Sequence, residues 1–456
     1  MPDYRKSYSA VSAPGKVLLA GGYLVLDREY TGLVFGLSAR IHVIVKDAVA
    51  AEGAEPLIVV KSPQFIEAEW RYSAAILADG AGVAVKQIES PSTSRNPFVE
   101  TTLAYTLTYL TTTTSLTTLP SLTITILADN DYYSQPPSTT TSTSSTSSTT
   151  SSTTSSNPSP TPFTPFPTPL TTAHKTGLGS SAALTTALTS SLLHFLLHIP
   201  PSQTLQHNLS QSCHCAAQGK IGSGFDVAAA VYGTCLYRRF SPSLLSSISD
   251  AFGPGSQGFA ERLRGVVEDE GKKWDTRISK SGVAIPKGYA LVMCDVDCGS
   301  QTVGMVKSVL AWRASSPSDA GRIWTSLQSS NEELARALSA GKEAEISAAF
   351  LAIRALIREM GEKSGVPIEP AAQTALLDML AEVEGVVGGV VPGAGGHDAV
   401  ALLIREGDET LERVKKVLVE WSEKGEGKVK LLGVKGEMEG VRVEGGFDYG
   451  SWIEEA

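Results

Sequence analysis

The alternation of hydrophobic and polar positions predicts strands in the N-terminal part of the chain. Residues 7–46 hold a Leu-rich run, KVLLAGGYLVL, that a pair of glycines interrupts, and a second run, LVFGLSARIHVIV, that alternates before it becomes continuously apolar. Both patterns are typical of strands that pack into a core. The stretch SLTITILADNDYY, at residues 121–133, predicts a further strand that ends in a turn.

Helical spacing dominates later in the chain. Apolar stretches predict helices over residues 180–198 and 204–219 and a strand over 288–296. Two amphipathic helices follow near 317–340 and 342–361, because their apolar residues recur at intervals of three and four. The predicted core residues of the second of these helices are Ile346, Phe350, Ile353, Ile357 and Met360.

The last part of the chain combines both kinds of element. A glycine-rich turn leads into a strand over residues 392–404, and a charged helix is expected over 408–424. The length of 456 residues suits more than one folding unit. We therefore expect an α+β protein with two lobes, an N-terminal lobe over residues 1–240 and a C-terminal lobe over 241–456.

Residues 136–172 differ in composition from the rest of the chain. Every residue from Ser138 to Ser156 is Ser or Thr, and prolines recur in the part that follows. Such a segment buries too little apolar surface to offset the entropy lost on ordering. We expect a disordered surface insertion over the whole of 136–172.

Composition and charge narrow the class of protein further. The chain is 42% hydrophobic, enough for a sizeable core, and its formal charge of −9 argues against a general nucleic-acid binder. No apolar run approaches the ~18 residues of a membrane span, and the N-terminus shows no secretory h-region. The five cysteines suggest reduced thiols and a cytoplasmic location. The CHC run at 213–215 lacks a second pair of metal ligands, so we interpret its cysteines as buried thiols on a helix.

The stretch KTGLGSSAAL, at residues 175–184, is the first that indicates chemistry. Two glycines precede a predicted helix that begins with Ser180 and Ser181. The free N–H groups of a helix N-terminus bind phosphate, and a Ser hydroxyl in the first turn can ligate Mg²⁺. The alternative is an ordinary helix cap. The chain has neither the P-loop pattern nor the signatures of protein kinases.

Two more glycine-containing stretches adjoin regular elements. SAPGKVLLAGGYLVLD, at residues 12–27, places Lys16 at the head of a strand after a Pro-Gly turn. VPGAGGHDAVALL, at 391–403, is a turn that leads into another strand. Three such elements suggest a single composite site.

Together these stretches resemble the GHMP kinase superfamily, with the family's order of APGK, GLGSSAA and GAGG followed by DA. AAQGKIGSGFDVAAAVYGTCLYRRF (216–240) and VPIEPAAQTALLD (366–378) are most similar to the fungal type of phosphomevalonate kinase. The resemblance covers most of the chain outside 48–97, 136–172 and the C-terminal end. Gly22 stands where mevalonate kinases and galactokinases usually carry an acidic residue. The resemblance implies the two-lobed GHMP kinase fold, with an α/β lobe like a ribosomal-protein domain and a ferredoxin-like lobe.

The resemblance implies phosphoryl transfer from ATP, with Mg²⁺, to 5-phosphomevalonate, in the mevalonate route to isoprenoids and sterols. It implies that Lys16 bridges the acceptor and the γ-phosphate, and that Asp226 lies beside the acceptor oxygen. A phosphate acceptor is already mostly ionised near neutral pH, because its second pKa is about 6. Asp226 is therefore expected to position Lys16 and the acceptor, or to organise Mg²⁺, and not to remove a proton.

The resemblance also implies binding residues along the three motifs. Those for ATP and its phosphates are Lys175, Gly177, Leu178, Gly179, Ser180, Ser181 and Ala182, with Ser181 also the metal ligand. Those for the substrate are Tyr23, Lys220, Gly393, Ala394, Gly395 and Gly396, with Arg238 and Arg239 as further candidates for its phosphate. For Tyr23, a place in the core is an equal alternative to one in the acceptor pocket. His397, where the family usually has an aromatic residue or Gly, is interpreted as a solvated loop residue.

Two other functions remain open at this stage. One is the same fold acting on another small alcohol such as mevalonate, and the other is a catalytically inactive sensor. The presence of Lys16, Ser181 and Asp226 favours an active enzyme. Its expected partners are small molecules alone, without nucleic acid or a membrane span, and the sequence leaves the oligomeric state open.

Overall fold

The structure of the chain, a computed structural model, describes residues 8–48, 55–88, 94–114, 116–134, 162–197, 199–297, 302–425, 427–445, 447 and 449–453. The strands are β1 (Ser9–Ala20), β2 (Gly32–Asp47), β3 (Leu57–Lys61), β4 (Glu69–Ile76), β5 (Val83–Gln87), β6 (Leu122–Ala128), β7 (Cys235–Arg238), β8 (Arg277–Ser279), β9 (Tyr289–Asp297), β10 (Val386–Val390), β11 (Ala399–Arg405), β12 (Lys428–Glu437) and β13 (Arg442–Val443). The α-helices are α1 (Pro97–Thr113), α2 (Ser180–Leu196), α3 (Gln203–Gln218), α4 (Phe225–Tyr232), α5 (Phe259–Val267), α6 (Thr302–Ser315), α7 (Pro317–Ala340), α8 (Glu343–Ser364), α9 (Ala371–Ala381) and α10 (Asp408–Glu423).

The antiparallel pair β1–β2 is the centre of the first half. Nearly all residues of both strands are buried, which explains their almost continuously apolar sequence. On its other edge β2 pairs with β6, and β3 pairs with β6 in parallel. The strands predicted within residues 7–46 and 121–133 are therefore confirmed. Helices α2 and α4 pack against β1, and α3 packs against α1, α2 and α4.

The second half adds a layer of helices to a further set of strands. The strand order β10–β11–β9–β12 continues through β12 to β2, so one mixed sheet extends through both halves. The predicted strands and helices of this half are confirmed as β9, β11, α7, α8 and α10. In α8, Ile346, Phe350, Ile353 and Met360 are buried as predicted, and Ile357 is partly buried against them. The lobe boundary at residue 240 stays a prediction.

The predicted insertion extends too far at its C-terminal end. Residues 162–172 are part of the described structure, and Phe163 and Phe166 are only 2% and 3% exposed. The Phe166 ring stacks on Phe65 at 5.0 Å, and its main-chain N–H donates to the Gln64 carbonyl at 2.6 Å. Two buried phenylalanines supply the apolar area that the composition of the segment as a whole did not suggest. The rest of that prediction, residues 136–161, lies outside the described residues.

Helix α1 was not predicted, because its many threonines favour strands. It forms because its interior is buried and several of its threonines bond within the helix: the Thr108 hydroxyl donates to the Ala104 carbonyl at 2.7 Å. Across the described ranges, no helix is long and apolar enough to cross a membrane.

Candidate active site

Lys16 lies on β1 where a bulge after Pro14 shifts the register with β2. Its main-chain N–H donates to the Leu178 carbonyl at 2.9 Å, and its ammonium donates to the Gly177 carbonyl at 3.0 Å. A Cβ on Gly179 would come within 2.8 Å of the Lys16 Cε, and Gly179 has a φ of +84°. Only glycine therefore lets the loop of the second motif lie over this lysine.

The charge of Lys16 is set by two opposing effects. Burial holds the pKa of Lys16 below its usual value, and the nearby Asp226 carboxylate opposes part of that lowering. The ammonium also lies 5.9 Å from the centre of the Phe225 ring, within cation–π range. A cation anchored by the Gly177 carbonyl and near a carboxylate is well placed to receive an anionic ligand.

The second motif places the N-terminus of α2 near the same lysine. Gly177 and Gly179 both have positive φ, and no side chain caps the first turn that Ser180 begins. The first N–H groups of the helix are therefore available for an anion. The Ser181 hydroxyl oxygen lies 3.2 Å from Nε2 of His214 on α3.

Asp226 stands in the first turn of α4, after a glycine in the left-handed conformation. A Cβ on Gly224 would come within 2.7 Å of both Gln211 Oε1 and the Tyr237 hydroxyl, so this tight turn requires glycine. The turn places Asp226 Oδ2 3.8 Å from His214 Nε2. Ser181 and Asp226, from two different helices, thus lie near the same nitrogen of one imidazole.

His214 is the residue that the sequence analysis missed. Cys213 and Cys215 on either side of it are buried thiols, as predicted, and burial raises the pKa of Cys213 to about 12. A helical reading of this run offered a signal: Gln211, His214 and Gln218 repeat at intervals of three and four, and all three line the same cleft.

The third motif docks onto the first through main-chain atoms. The Gly393 N–H donates to the Leu18 carbonyl at 2.9 Å, and a Cβ on Gly22 would come within 1.9 Å of the Gly393 carbonyl oxygen. The Tyr23 hydroxyl donates to the Ala394 carbonyl at 2.8 Å. The absence of an acidic residue at position 22 thus has a steric reason, since any side chain would displace the third motif.

A cleft of about 860 Å³ lies among the three motifs. A second cavity of about 480 Å³, between α1 and α3, shares Lys220 and Ile221 with it but includes neither Lys16 nor Asp226. Predicted site residues that line the cleft are Lys16, Lys175, Gly177, Gly179, Ser181, Lys220, Asp226, Arg239, Gly393, Ala394 and Gly395. Predicted site residues that do not line it are Tyr23, Leu178, Ser180, Ala182, Arg238 and Gly396.

Several residues outside the lining have structural positions instead. Tyr23 is 1% exposed and Leu178 is 2% exposed, so both belong to the core. The Gly396 N–H donates to the Ile368 carbonyl at 2.8 Å. His397 is half-buried, and its carbonyl accepts from the Gln373 amide at 2.8 Å.

The basic residues of the cleft differ in how firmly they are held. Arg239 donates to the carbonyls of Leu26, Ile221 and Gly222 at 2.9 to 3.1 Å, and burial lowers its pKa. Lys175 and Lys220 are exposed at the rim. Besides the anchored Lys16, the cleft therefore combines one fixed guanidinium with two exposed ammonium groups.

The oxygen donors of the cleft fit Mg²⁺. This ion prefers oxygen ligands and is usually held by one or two protein groups together with nucleotide phosphates. The Ser181 hydroxyl and the Asp226 carboxylate lie near the same imidazole, and both face the cleft. Within the described part of the chain, no group of three or more His, Cys, Asp or Glu residues could hold a metal ion by itself.

Comparisons with known proteins agree with this geometry. Residues 167–234 match the family model for the GHMP kinases N terminal domain. The chain is 51% identical to the phosphomevalonate kinase of Gibberella zeae over 97% of this chain and 98% of the relative. It is 47% identical to the phosphomevalonate kinase of Aspergillus fumigatus, over 98% of each chain.

A solved structure shows the shared fold. The phosphomevalonate kinase of Streptococcus pneumoniae, in complex with phosphomevalonate and AMPPNP, superposes with a TM-score of 0.62 over 94% of this chain and 99% of that one. At 15% identity this likeness concerns the fold, and it confirms the expected GHMP kinase architecture. With the fungal relatives, it establishes that the chain belongs to the phosphomevalonate kinase family of the GHMP kinase superfamily.

Proposed function

We propose that this chain transfers the γ-phosphoryl group of ATP to the phosphate of 5-phosphomevalonate, giving 5-diphosphomevalonate and ADP. The observation that carries the proposal is the meeting of Lys16, the N-terminus of α2 and Asp226 in one cleft. The fungal relatives, named as phosphomevalonate kinases at 51% and 47% identity, supply the identity of the acceptor.

Lys16 has the main electrostatic role. Donor and acceptor are both anions, and their repulsion must be overcome before an acceptor oxygen can reach the γ-phosphorus. The Lys16 ammonium is anchored by the Gly177 carbonyl beside the free N–H groups of α2. It can therefore neutralise both anions without reorganising, which is how fixed charges stabilise a transition state.

Asp226 supports this cation in place of acting as a base. Its carboxylate raises the pKa of Lys16 against the effect of burial, and so favours the charged ammonium. The acceptor oxygen of phosphomevalonate is mostly ionised at neutral pH, because its pKa is about 6, so no proton need be removed. When Mg²⁺ accompanies the nucleotide it neutralises phosphate charge, and Ser181 and Asp226 are the residues that would hold it.

The rim of the cleft favours a substrate that carries its own phosphate. Lys220, Arg239 and Lys175 place positive charge along the same opening. Mevalonate has only a carboxylate to offer these groups, whereas phosphomevalonate also has a phosphate. We therefore assign the phosphorylated acceptor over mevalonate.

The same proposal includes a cytoplasmic location. Cys213, Cys215, Cys235 and Cys294 are buried free thiols, the state that a reducing compartment maintains. A fluorescent fusion in a fungal cell should fill the cytoplasm, and its accumulation in an organelle would contradict this part.

A coupled ADP-release assay on the purified protein tests the function. It compares phosphomevalonate, mevalonate, galactose and homoserine, each with MgATP, for the native chain, Lys16→Met and Asp226→Ala. We expect turnover with phosphomevalonate alone. Lys16→Met should lower kcat by about 10³, the usual scale for losing a fixed transition-state charge. Lys430→Met, at an exposed lysine of β12, is the matched control and should leave kcat unchanged.

The other outcomes separate the alternatives. Turnover of mevalonate in place of phosphomevalonate would keep the fold and overturn the substrate. A folded protein that binds ATP but phosphorylates none of the four acceptors would support the sensor.

A further inference from the structure

His214 is a buried imidazole that lines the cleft and has no role in the scheme above. Its ring is 2% exposed and packs at 5.6 Å from the Phe98 ring. Its Nε2 lies 3.2 Å from the Ser181 hydroxyl and 3.2 Å from the Gln218 amide nitrogen. Asp226 Oδ2 lies 3.8 Å from the same nitrogen, beyond hydrogen-bonding distance.

The groups around Nε2 indicate which way the protons point. The Ser181 hydroxyl and the Gln218 amide can both donate, and both lie at hydrogen-bonding distance from Nε2. An unprotonated Nε2 can accept from them, whereas a protonated one would face the amide donor. The geometry is that of an Nε2 that accepts, with the Ser181 hydroxyl as its donor.

The hydrogen bond from Ser181 determines what this serine offers to a ligand. A hydroxyl has one proton and two lone pairs. If the proton is donated to Nε2, the lone pairs remain free to face the cleft. Without that acceptor, a serine in the first turn of a helix is free to turn its proton elsewhere, including toward the cation site.

We propose that His214 is a positioning residue that holds the Ser181 hydroxyl with its oxygen lone pairs toward the bound metal–nucleotide. The same Nε2 lies 3.8 Å from Asp226 Oδ2, so one edge of the ring borders both oxygen donors, from α2 and α4. This inference rests on the proposed function for its biological meaning. Its test rests on metal-dependent nucleotide binding, which can be measured whatever the acceptor is.

Two amide substitutions distinguish positioning from simple filling of space. His214→Gln can place an amide near the position of Nε2, whereas the shorter side chain of His214→Asn reaches only the position of Nδ1. Both variants are neutral and polar, so they differ mainly in reach. If His214 only filled space, its replacement would weaken the binding of ADP to the same degree with metal and without metal.

The experiment measures ADP binding to the purified full chain with Mn²⁺, followed by the EPR signal of free Mn²⁺, and with EDTA, followed by calorimetry. We expect His214→Asn to weaken Mn–ADP binding by about tenfold, the lower end of what outer partners of metal ligands contribute. Its binding of metal-free ADP should stay within about twofold of the native value. His214→Gln should recover most of the lost Mn–ADP affinity.

The proposal fails if His214→Asn binds Mn–ADP as the native chain does, or if it weakens ADP equally with and without metal. If His214→Asn does not fold, Ser181→Ala provides the test. It should lose a similar metal-dependent affinity, and unchanged Mn–ADP binding would overturn the proposal. A native chain that is inactive on phosphomevalonate but shows the expected Mn–ADP pattern would sink the proposed function and leave this inference standing.

Discussion

Tyr23 connects two glycine-rich motifs from within the core. Its ring is 1% exposed, and its hydroxyl donates to the Ala394 carbonyl at 2.8 Å. Burial raises the pKa of Tyr23, so the phenol remains a donor throughout the physiological range. The residue therefore acts on the third motif through a single hydrogen bond, and not on the substrate directly.

Replacing this tyrosine by phenylalanine isolates that bond. Tyr23→Phe keeps the packed ring but leaves the Ala394 carbonyl without its donor, which should lower the free energy of unfolding by about 1 kcal/mol. The KM for phosphomevalonate should stay within about twofold of the native value, since the side chain does not line the cleft. Urea unfolding and steady-state kinetics measure both effects, with Tyr8→Phe at an exposed position as the control. A tenfold rise in KM would instead restore the expectation that Tyr23 contacts the acceptor.

At this scale the sequence identified the residues of the site, but it did not identify the residues that contact them in the folded chain. The motifs named Lys16, Ser181 and Asp226, and the structure brings these three residues to one cleft, while their catalytic roles stay predictions. His214 was missed because its importance comes from α3 lying against both α2 and α4, a long-range contact that no local pattern reports. Tyr23 was ambiguous for the same reason, since its partner Ala394 is distant in sequence.

The elements of the site are held together by close approaches of main chain to main chain. The turn after β1 meets the turn before β11 where a Cβ on Gly22 would come within 1.9 Å of the Gly393 carbonyl oxygen. No flexible side chain can move aside there, so the contact fixes the relative position of two whole elements.

Gly22→Ala therefore tests whether this contact assembles the site. The added methyl group must push the turns apart, which should cost about 2 kcal/mol of stability, in the range of overpacked cores. It should also reduce kcat/KM, because the third motif moves away from Lys16. The control is Gly321→Ala on α7, where an added Cβ meets nothing within 4 Å and Ala is the better helix former by about 1 kcal/mol. Native stability and kinetics in Gly22→Ala would show that the turns are not coupled.

Elements with strong hydrophobic periodicity could be predicted from the sequence. Elements whose conformation depends on tertiary packing could not. Strands β1 and β2 could be predicted because burial on both faces leaves apolar runs, and β6 because its apolar residues alternate with threonines. Helix α1 could not, since its threonines have strand propensity and become helical only when buried. Residues 162–172 were predicted to be disordered because of the composition of the segment as a whole. That average does not show that Phe163 and Phe166 are buried against the first half.

At the scale of the whole molecule, the C-terminal segment returns to the first strand. β13 pairs with β1 through Val443 and Val11, and the Arg40 guanidinium donates to the Gly440 carbonyl. Beyond it, the 2%-exposed Tyr449 ring lies parallel to Phe163 at 6.3 Å, and its hydroxyl lies 3.2 Å from His42 Nδ1. The end of the chain and residues 162–166 thus cover the same face of the first half.

This arrangement makes Tyr449 and the turn at Gly450–Trp452 important for the stability of the first half. Tyr449→Ala removes a buried ring from the cluster with His42, Phe163 and Phe447, and burying an aromatic side chain is worth about 3 kcal/mol or more. We expect the free energy of unfolding, measured in urea, to fall by about that amount.

Ser451→Ala, an exposed position two residues further on, should change it by less than about 0.5 kcal/mol. Because Tyr449 does not line the cleft, the variant should keep the native kcat at a low temperature at which it is still folded. Equal stability of the two variants would mean that the C-terminal segment only rests on the first half, and a loss of kcat in folded Tyr449→Ala would mean that it also shapes the cleft.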